Sequence, residues 1–300
     1  MATIVKKAIR STAGWTANQT AMEAIYGVGG YYTTLTSWEA AIPADLVAAD
    51  EQWVAECYND FPTGLADTVD IAGHTTDATR NIIVTALASE RHNGVVDGGF
   101  RIKTATTFPF KVDCPYTEVS YIQVESTTTG GLSFTLKALG DYTTIDSVIS
   151  ISTGTNCASF YSYSGATYCA YMNCIAITSV GYGFRLLDLW SSIYNSTAVC
   201  DTGLYGFNVN NTHYLKNNVS VNFTTDYSTT PRTGSITNAT HEGTTSHSFV
   251  SVTGVSMTDG VDFTAPSTGD YSIPSGSVLI DAGTDLSATF TTDITGITRG

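Results

Sequence analysis

Ile145-Asp-Ser-Val-Ile-Ser-Ile151, Cys169-Ala-Tyr-Met-Asn-Cys-Ile175, Ile193-Tyr-Asn-Ser-Thr-Ala-Val199 and Leu215-Lys-Asn-Asn-Val-Ser-Val221 are four copies of one pattern. An apolar residue opens each copy and another follows six places later. Val119 precedes them, so the openings stand 26, 24, 24 and 22 residues apart. A second series runs alongside: Leu132-Ser-Phe134, Phe160 near Cys157, Phe184-Arg-Leu186 and Phe207-Asn-Val209. These follow turns, as at Gly130-Gly131, Gly181-Tyr-Gly183 and Gly203-Leu-Tyr-Gly206. The unit is strand, turn, strand, Gly-turn, repeated every twenty-odd residues.

That period decides the architecture. Leucine-rich repeats would show Leu-x-x-Leu-x-Leu, a hexapeptide helix would show period six, and propeller blades need about forty residues. What remains is an all-β fold, a single-stranded right-handed parallel β-helix. Alternation in Tyr121-Ile122-Gln123-Val124 and Val219-Ser220-Val221 predicts apolar side chains inside and Ser, Asn or Gln outside. Asn173, Asn195 and Asn217 recur at intervals of 22 and predict a stacked Asn ladder at a turn, a structural device.

A β-helix exposes its core at both ends unless capped. Thr36-Ser-Trp-Glu39 reads as a capping box, and Trp38, Ala41, Ile42, Leu46 and Ala49 as one apolar face. The expectation is one capping helix over 36–50. The chain then forms a single β-helix domain: an N-terminal arm and first strands over 1–35, the cap, coils over 51–228, and an irregular segment over 229–300.

Composition agrees. Of 300 residues, 77 are Ser or Thr and 27 are Gly, which suits short strands joined by hydroxyl- and Gly-rich turns. Hydrophobic residues at 42% exclude disorder, and the 13% of charged residues is too low for a helical bundle. The net charge of −14 repels phosphate backbones and argues against nucleic-acid partners. No run of eighteen apolar residues predicts membrane insertion, and the N-terminus lacks the apolar stretch of a secretory signal peptide. Six cysteines without a CxxC pair read first as small buried hydrophobes, with zinc or disulfides as alternatives.

Two regions resemble known proteins. Tyr32-Thr-Thr-Leu-Thr-Ser-Trp-Glu-Ala-Ala41, Glu56-Cys-Tyr58 and Val69-Asp-Ile-Ala-Gly73 resemble the N-terminal region of pectate-lyase-like β-helix proteins of tailed phages. Gly276-Ser-Val-Leu-Ile-Asp-Ala-Gly283 and Asp293-Ile-Thr-Gly-Ile-Thr-Arg299 resemble the closing motif of bacterial surface β-helices, with departures at Val278, Leu279 and Thr295. The resemblance covers about a third of the chain and speaks to fold more than to activity.

Catalytic machinery of that fold is not recognisable. A polygalacturonase-like site needs carboxylates on neighbouring coils, a His, and Arg-x-Lys; only Arg101-Ile102-Lys103 matches, ahead of the regular coils. A pectate-lyase-like site needs calcium-binding carboxylates and an Arg base. Arg185 with Asp188 is the one basic–acidic pair of the central coils and reads as an exposed ion pair, with Asp201 about one strand further on. His74, Asp77, Arg80, Arg91 and His92 read as turn and cap groups. Asp281, Asp285 and Asp293 fit no calcium loop, and His241-Glu242 with His247 lacks the helical context of a zinc site. No catalytic, cofactor or metal residue is assigned, and calcium is the one ion kept in view.

Two binding surfaces are expected. Tyr161, Tyr163, Tyr168, Tyr171 and Tyr182 fall within 22 residues and read as packed strand aromatics or as a glycan-stacking platform. Ile4, Val5, Lys6, Lys7, Ile9 and Arg10 read as an attachment arm for a neighbouring protein or as the first strand of the β-helix. Together with the resemblance, this sets the functional expectation: a non-enzymatic bacteriophage virion protein, exposed on capsid or tail as a decoration, fibre or host-surface-binding element. The alternatives are a tailspike-like polysaccharide lyase or hydrolase and a bacterial surface adhesin. Expected partners are other virion proteins, host-surface glycans and further copies of the chain, a trimer among the options. The expected location is the virion surface after synthesis in host cytoplasm.

Overall fold

Short runs of β-branched and aromatic residues hydrogen-bond to the equivalent run one coil later, and every strand pairing is parallel. The structure, a computed structural model, describes residues 1–11, 22–129, 132–241 and 248–298. It is an all-parallel β-solenoid of about 9 turns.

Each regular turn has three walls. The first is a column of three-residue strands, Glu118–Ser120, Thr144–Asp146, Ala170–Met172, Ser192–Tyr194 and Tyr214–Lys216. The second stacks Gln123–Ser126, Ile149–Ser152 and Ile175–Thr178, and the third stacks Leu132–Ala138, Asn156–Ser162 and Gly181–Leu186. The strand Thr197–Asn208 runs through both of the last two walls and joins them into one sheet.

Stacking places like on like inside. Phe160, Phe184, Phe207 and Tyr227 form an interior ladder with centroids 4.7, 5.0 and 5.2 Å apart and nearly parallel rings. Left-handed backbone marks both ends of the first-wall strands. Tyr116, Tyr142, Tyr168 and Trp190 precede them, and Tyr121, Ser147, Asn173, Asn195 and Asn217 follow, all with φ between 48° and 64°. The expected Asn ladder is part of this second corner.

The register corrects two expectations. Ile145 pairs with Tyr171, not Cys169, and Tyr171 with Ile193, so the spacings are 26, 26, 22 and 22. Leu136, not Phe134, aligns with Phe160. Both slips are of two residues. The first keeps its side chains on one face and is invisible to alternation, whereas in the second Phe134 faces out and Leu136 joins Phe160 inside.

The facing of Val219-Ser220-Val221 is the reverse of that expected. Ser220 points inward, where a Cβ on Gly206 would sit 2.0 Å from its Oγ. Val219 and Val221 point outward and are buried by the C-terminal segment, with Ala239, Val255 and Phe263. That segment folds back along the solenoid: Gly269 accepts from Val96 N, Thr284 exchanges hydrogen bonds with Asn217, and Thr292 accepts from Asn173. It leaves a cavity of about 300 Å³ over Ile151, Ile177 and Val199, walled by Met257 and Tyr271. The irregular C-terminal segment therefore starts later than residue 229, because Asn238–Thr240 and Val250–Thr253 still extend the second wall.

The cap is two short helices rather than one over 36–50. Leu35–Glu39 (α1) is capped by Thr34, and Leu46–Ala49 (α2) by Asp45. Pro43 between them lacks the N–H that a continuous helix requires. Thr36 and Glu39 do not close on each other as a capping box. Thr36 Oγ1 donates to Asp67 at 2.6 Å, and Glu39 meets His74 Nε2 at 3.0 Å. Trp38 and Leu35 are fully buried over the first coil. Trp38→Ala should destabilise the fold by about 3–5 kcal/mol in equilibrium denaturation, because the end of the coil stack is left uncovered.

Candidate functional site

The outer face of the third wall carries a second apolar cluster, separate from the interior. Thr135 and Ser159 donate inward to the Ile151 and Ile177 carbonyls, so Phe134 and Ala158 beside them face out. Phe134, Ala158 and Tyr161 pack there with Phe108, Tyr182 and Leu187 at the edge. Phe134 lies on Tyr161 with centroids 4.1 Å apart, Phe108 lies on Phe134 at 5.6 Å, and Tyr182 stacks on Tyr205 at 5.8 Å. Tyr163 stands 6.5 Å from Tyr161 and is 54% exposed. Ala158 is the small residue that lets rings on either side lean together.

Arg185 occupies the centre. Its guanidinium carbon lies 4.9 Å from the Tyr182 ring and 5.9 Å from Phe134 and Tyr161. Its Nε is buried and unpartnered. Lys137 Nζ sits 5.0 Å over Phe108. Burial raises the Tyr161 phenol, against a smaller lowering by Arg185.

The five tyrosines thus divide. Tyr161, Tyr163 and Tyr182 share this platform. Tyr171 is fully buried, edge-on to Phe160 and Phe184, because its register column is the inward one of Ile145 and Ile193. Tyr168 lies at the first-wall corner, stacked 5.3 Å from Tyr142, which stacks 4.9 Å from Tyr116. That corner row continues to exposed Trp190, under Arg232 at 4.9 Å. Sequence clustering missed Phe134, Phe108 and Tyr205, which reach the platform by register from other coils.

Residues 3–9 form a strand paired with Glu51–Cys57 and Tyr31–Tyr32. Ile9 is buried in the core, Val5 packs against it, and Ile4 is 54% exposed. Lys6 meets Glu56 at 2.6 Å and Arg10 meets Asp60 at 2.8 Å, so both charges are engaged within the chain. Lys7 lies in register with Ala55.

Arg185 and Asp188 are not an exposed pair. Asp188 is fully buried and accepts from Ser162 at 2.5 Å, from Ser191, and from His213 Nε2 at 2.9 Å. The turn after Leu186 sends Asp188 inward, while Arg185 stays on the outer face. Arg101 pairs with Asp97 and Lys103 with Glu125. Asp285 and Asp293 each accept from backbone N–H groups of their own turns. Among the described residues, no three His, Cys, Asp or Glu come together to hold a metal. All six cysteines are free and buried. Glu242, His247, Arg299 and Gly130-Gly131 lie outside the described residues; His241 Nδ1 meets the Val255 carbonyl.

His74 and His92 serve turns. His92 accepts from Gly94 N at Nδ1 and donates from Nε2 to the Ser147 carbonyl, which defines a neutral ring. Burial pushes its pKa down from 6.5 to about 4, with Arg91 adding to the fall.

Three outcomes follow. Asp188→Ala should cost about 3–5 kcal/mol by leaving His213 without its buried partner. Arg185→Ala should cost about 1 kcal/mol, as expected for a ring-stacked cation. As pH falls from 6.5 to 4 the unfolded chain binds a proton that folded His92 refuses. Stability should therefore drop by about 3 kcal/mol over that window, and His92→Gln should remove this part of the slope in a denaturation series. Comparison with family models, curated proteins and solved structures finds no match to this chain.

Proposed function

We propose that this chain is a non-enzymatic structural protein of a bacteriophage virion. It is a rigid projection on capsid or tail whose third wall binds host-surface glycan. The observation that carries the reading is the exposed Tyr163 ring above the Phe134–Tyr161 floor, flanked by Tyr182 and Arg185. A rigid aromatic surface with adjacent donors suits a sugar, whose faces are apolar and whose rim is polar. The wall is open, which suits retention of a polymer rather than enclosure of a bond to be cut.

The placement on a virion rests on the N-terminal resemblance and on the solenoid itself, a stiff repeat whose coils each lean only on their neighbours. The acidic surface keeps many copies apart in solution. Further copies of the chain are expected partners, and the exposed corner row of Tyr142, Tyr168, Leu189 and Trp190 offers them an apolar strip.

Glycan-array binding followed by calorimetry tests the reading. Tyr163→Ala should lower affinity for the bound glycan by about tenfold or more while Tm stays within about 2 °C, since an exposed ring contributes little to folding. Release of reducing ends or unsaturated products from that glycan would replace the reading with a tailspike-like enzyme. Failure to bind any glycan would remove it.

A further inference from the structure

Resting on the glycan reading above, we propose that the platform recognises an acidic polysaccharide that carries a carboxylate on every second sugar. The inference comes from where this protein leaves its cations unneutralised. Lys6, Arg10, Arg80, Arg101, Lys103 and Lys111 each meet at least one carboxylate. Lys137 and Arg185 meet none among the described residues; Lys7, Arg91, Lys216 and Arg232 also meet none, but only Lys137 and Arg185 lie on rings of the platform. In a chain with 27 acids and 13 bases, two such cations on one outer aromatic face form a local site for an outside anion.

One register column makes the contrast direct. Asp70, Lys111, Lys137, Tyr161 and Arg185 follow one another across neighbouring strands. Lys111 is neutralised by Asp70 at 2.9 Å and by Asp113 at 2.5 Å. Beyond it the column reads cation, ring, cation. Strands are about 4.8 Å apart, which sets Lys137 and Arg185 about 10 Å apart along the solenoid axis, the reach of a disaccharide. A chain lying along the axis would place a charged sugar at Lys137 and another at Arg185. The uncharged sugar between them would rest at Tyr161 beside the exposed Tyr163. The Arg185 guanidinium rests on the rings of Phe134, Tyr161 and Tyr182, and its donors are not taken up by any carboxylate of the described residues.

The test is calorimetric titration of the full chain with three hexasaccharides. These are unsulfated chondroitin (carboxylate on alternate sugars), its carboxyl-reduced neutral form, and hexagalacturonate (carboxylate on every sugar). The chondroitin hexamer should bind about tenfold tighter than the neutral form, as for a charge-assisted hydrogen bond, and should weaken as salt rises. Lys137→Gln and Arg185→Gln should each remove part of that preference and the double variant all of it, with Arg185→Lys restoring part. Circular dichroism and Tm identify any variant that has lost its fold, and Lys137→Gln, at a half-exposed side chain, keeps the test open if Arg185→Gln unfolds. Equal binding of neutral and acidic hexamers overturns the carboxylate and leaves the glycan reading standing. Hexagalacturonate binding as tightly as chondroitin overturns the alternate spacing. No binding by any sugar, on these probes and on the array, removes both.

Discussion

The parallel backbone ladder between coils is the constraint on which everything else depends. It fixes the separation of neighbouring strands at about 4.8 Å and sets each residue beside its equivalent one coil away. Whatever occupies a position must tolerate its own kind at that distance. Aromatic rings do, which is why Phe160, Phe184, Phe207 and Tyr227 fill the interior as a stack. Small side chains do as well: Ser150, Ala176, Ala198 and Ser220 line one inward column, opposite the rings. Buried charges of one sign do not, and the buried Asp188 faces His213 rather than another acid.

The same ladder dictates the corners. A coil can turn sharply only if a residue adopts left-handed backbone, and Asn does so at little cost. Asn173, Asn195 and Asn217 meet that need on one side of the first wall. On the other side Tyr116, Tyr142, Tyr168 and Trp190 take the same conformation despite bulky side chains. Face-to-face stacking of the three tyrosines helps offset that strain. The C-terminal segment then binds the Asn corner from outside through Thr284 and Thr292 and covers the aliphatic outer face of the second wall.

Against this background the third-wall platform departs from the rule. Phe134, Tyr161, Tyr182 and Arg185 are neither identical across coils nor covered by the C-terminal segment. Ala158 breaks the outward column with a small residue, so that rings from different coils converge on one guanidinium. A stack built for stability alone would repeat one residue. This mixture of rings and unneutralised cations is the proposed glycan site.

The sequence by itself determined the period, the strand–turn unit, the Asn corner, the buried cysteines and the role of Trp38, because each depends on local spacing and side-chain type. It also drew attention to the segment from Tyr161 to Tyr182, though only three of the five tyrosines meet there. What it could not determine was register. Cys169 and Tyr171 lie on the same face two residues apart, so alternation allows either, and only the hydrogen-bond partners of Ile145 and Ile193 choose between them. Nor could it tell inside from outside on the second wall. Val219 and Val221 are apolar because the returning C-terminal segment buries them, and Ser220 is small because the opposite wall approaches it at Gly206. Arg185 and Asp188 were separated in the same way, one onto rings and one into the core, by a bend in the chain that no local pattern encodes. Facing depends on what arrives from elsewhere in the chain, and that is decided only when the coils have stacked.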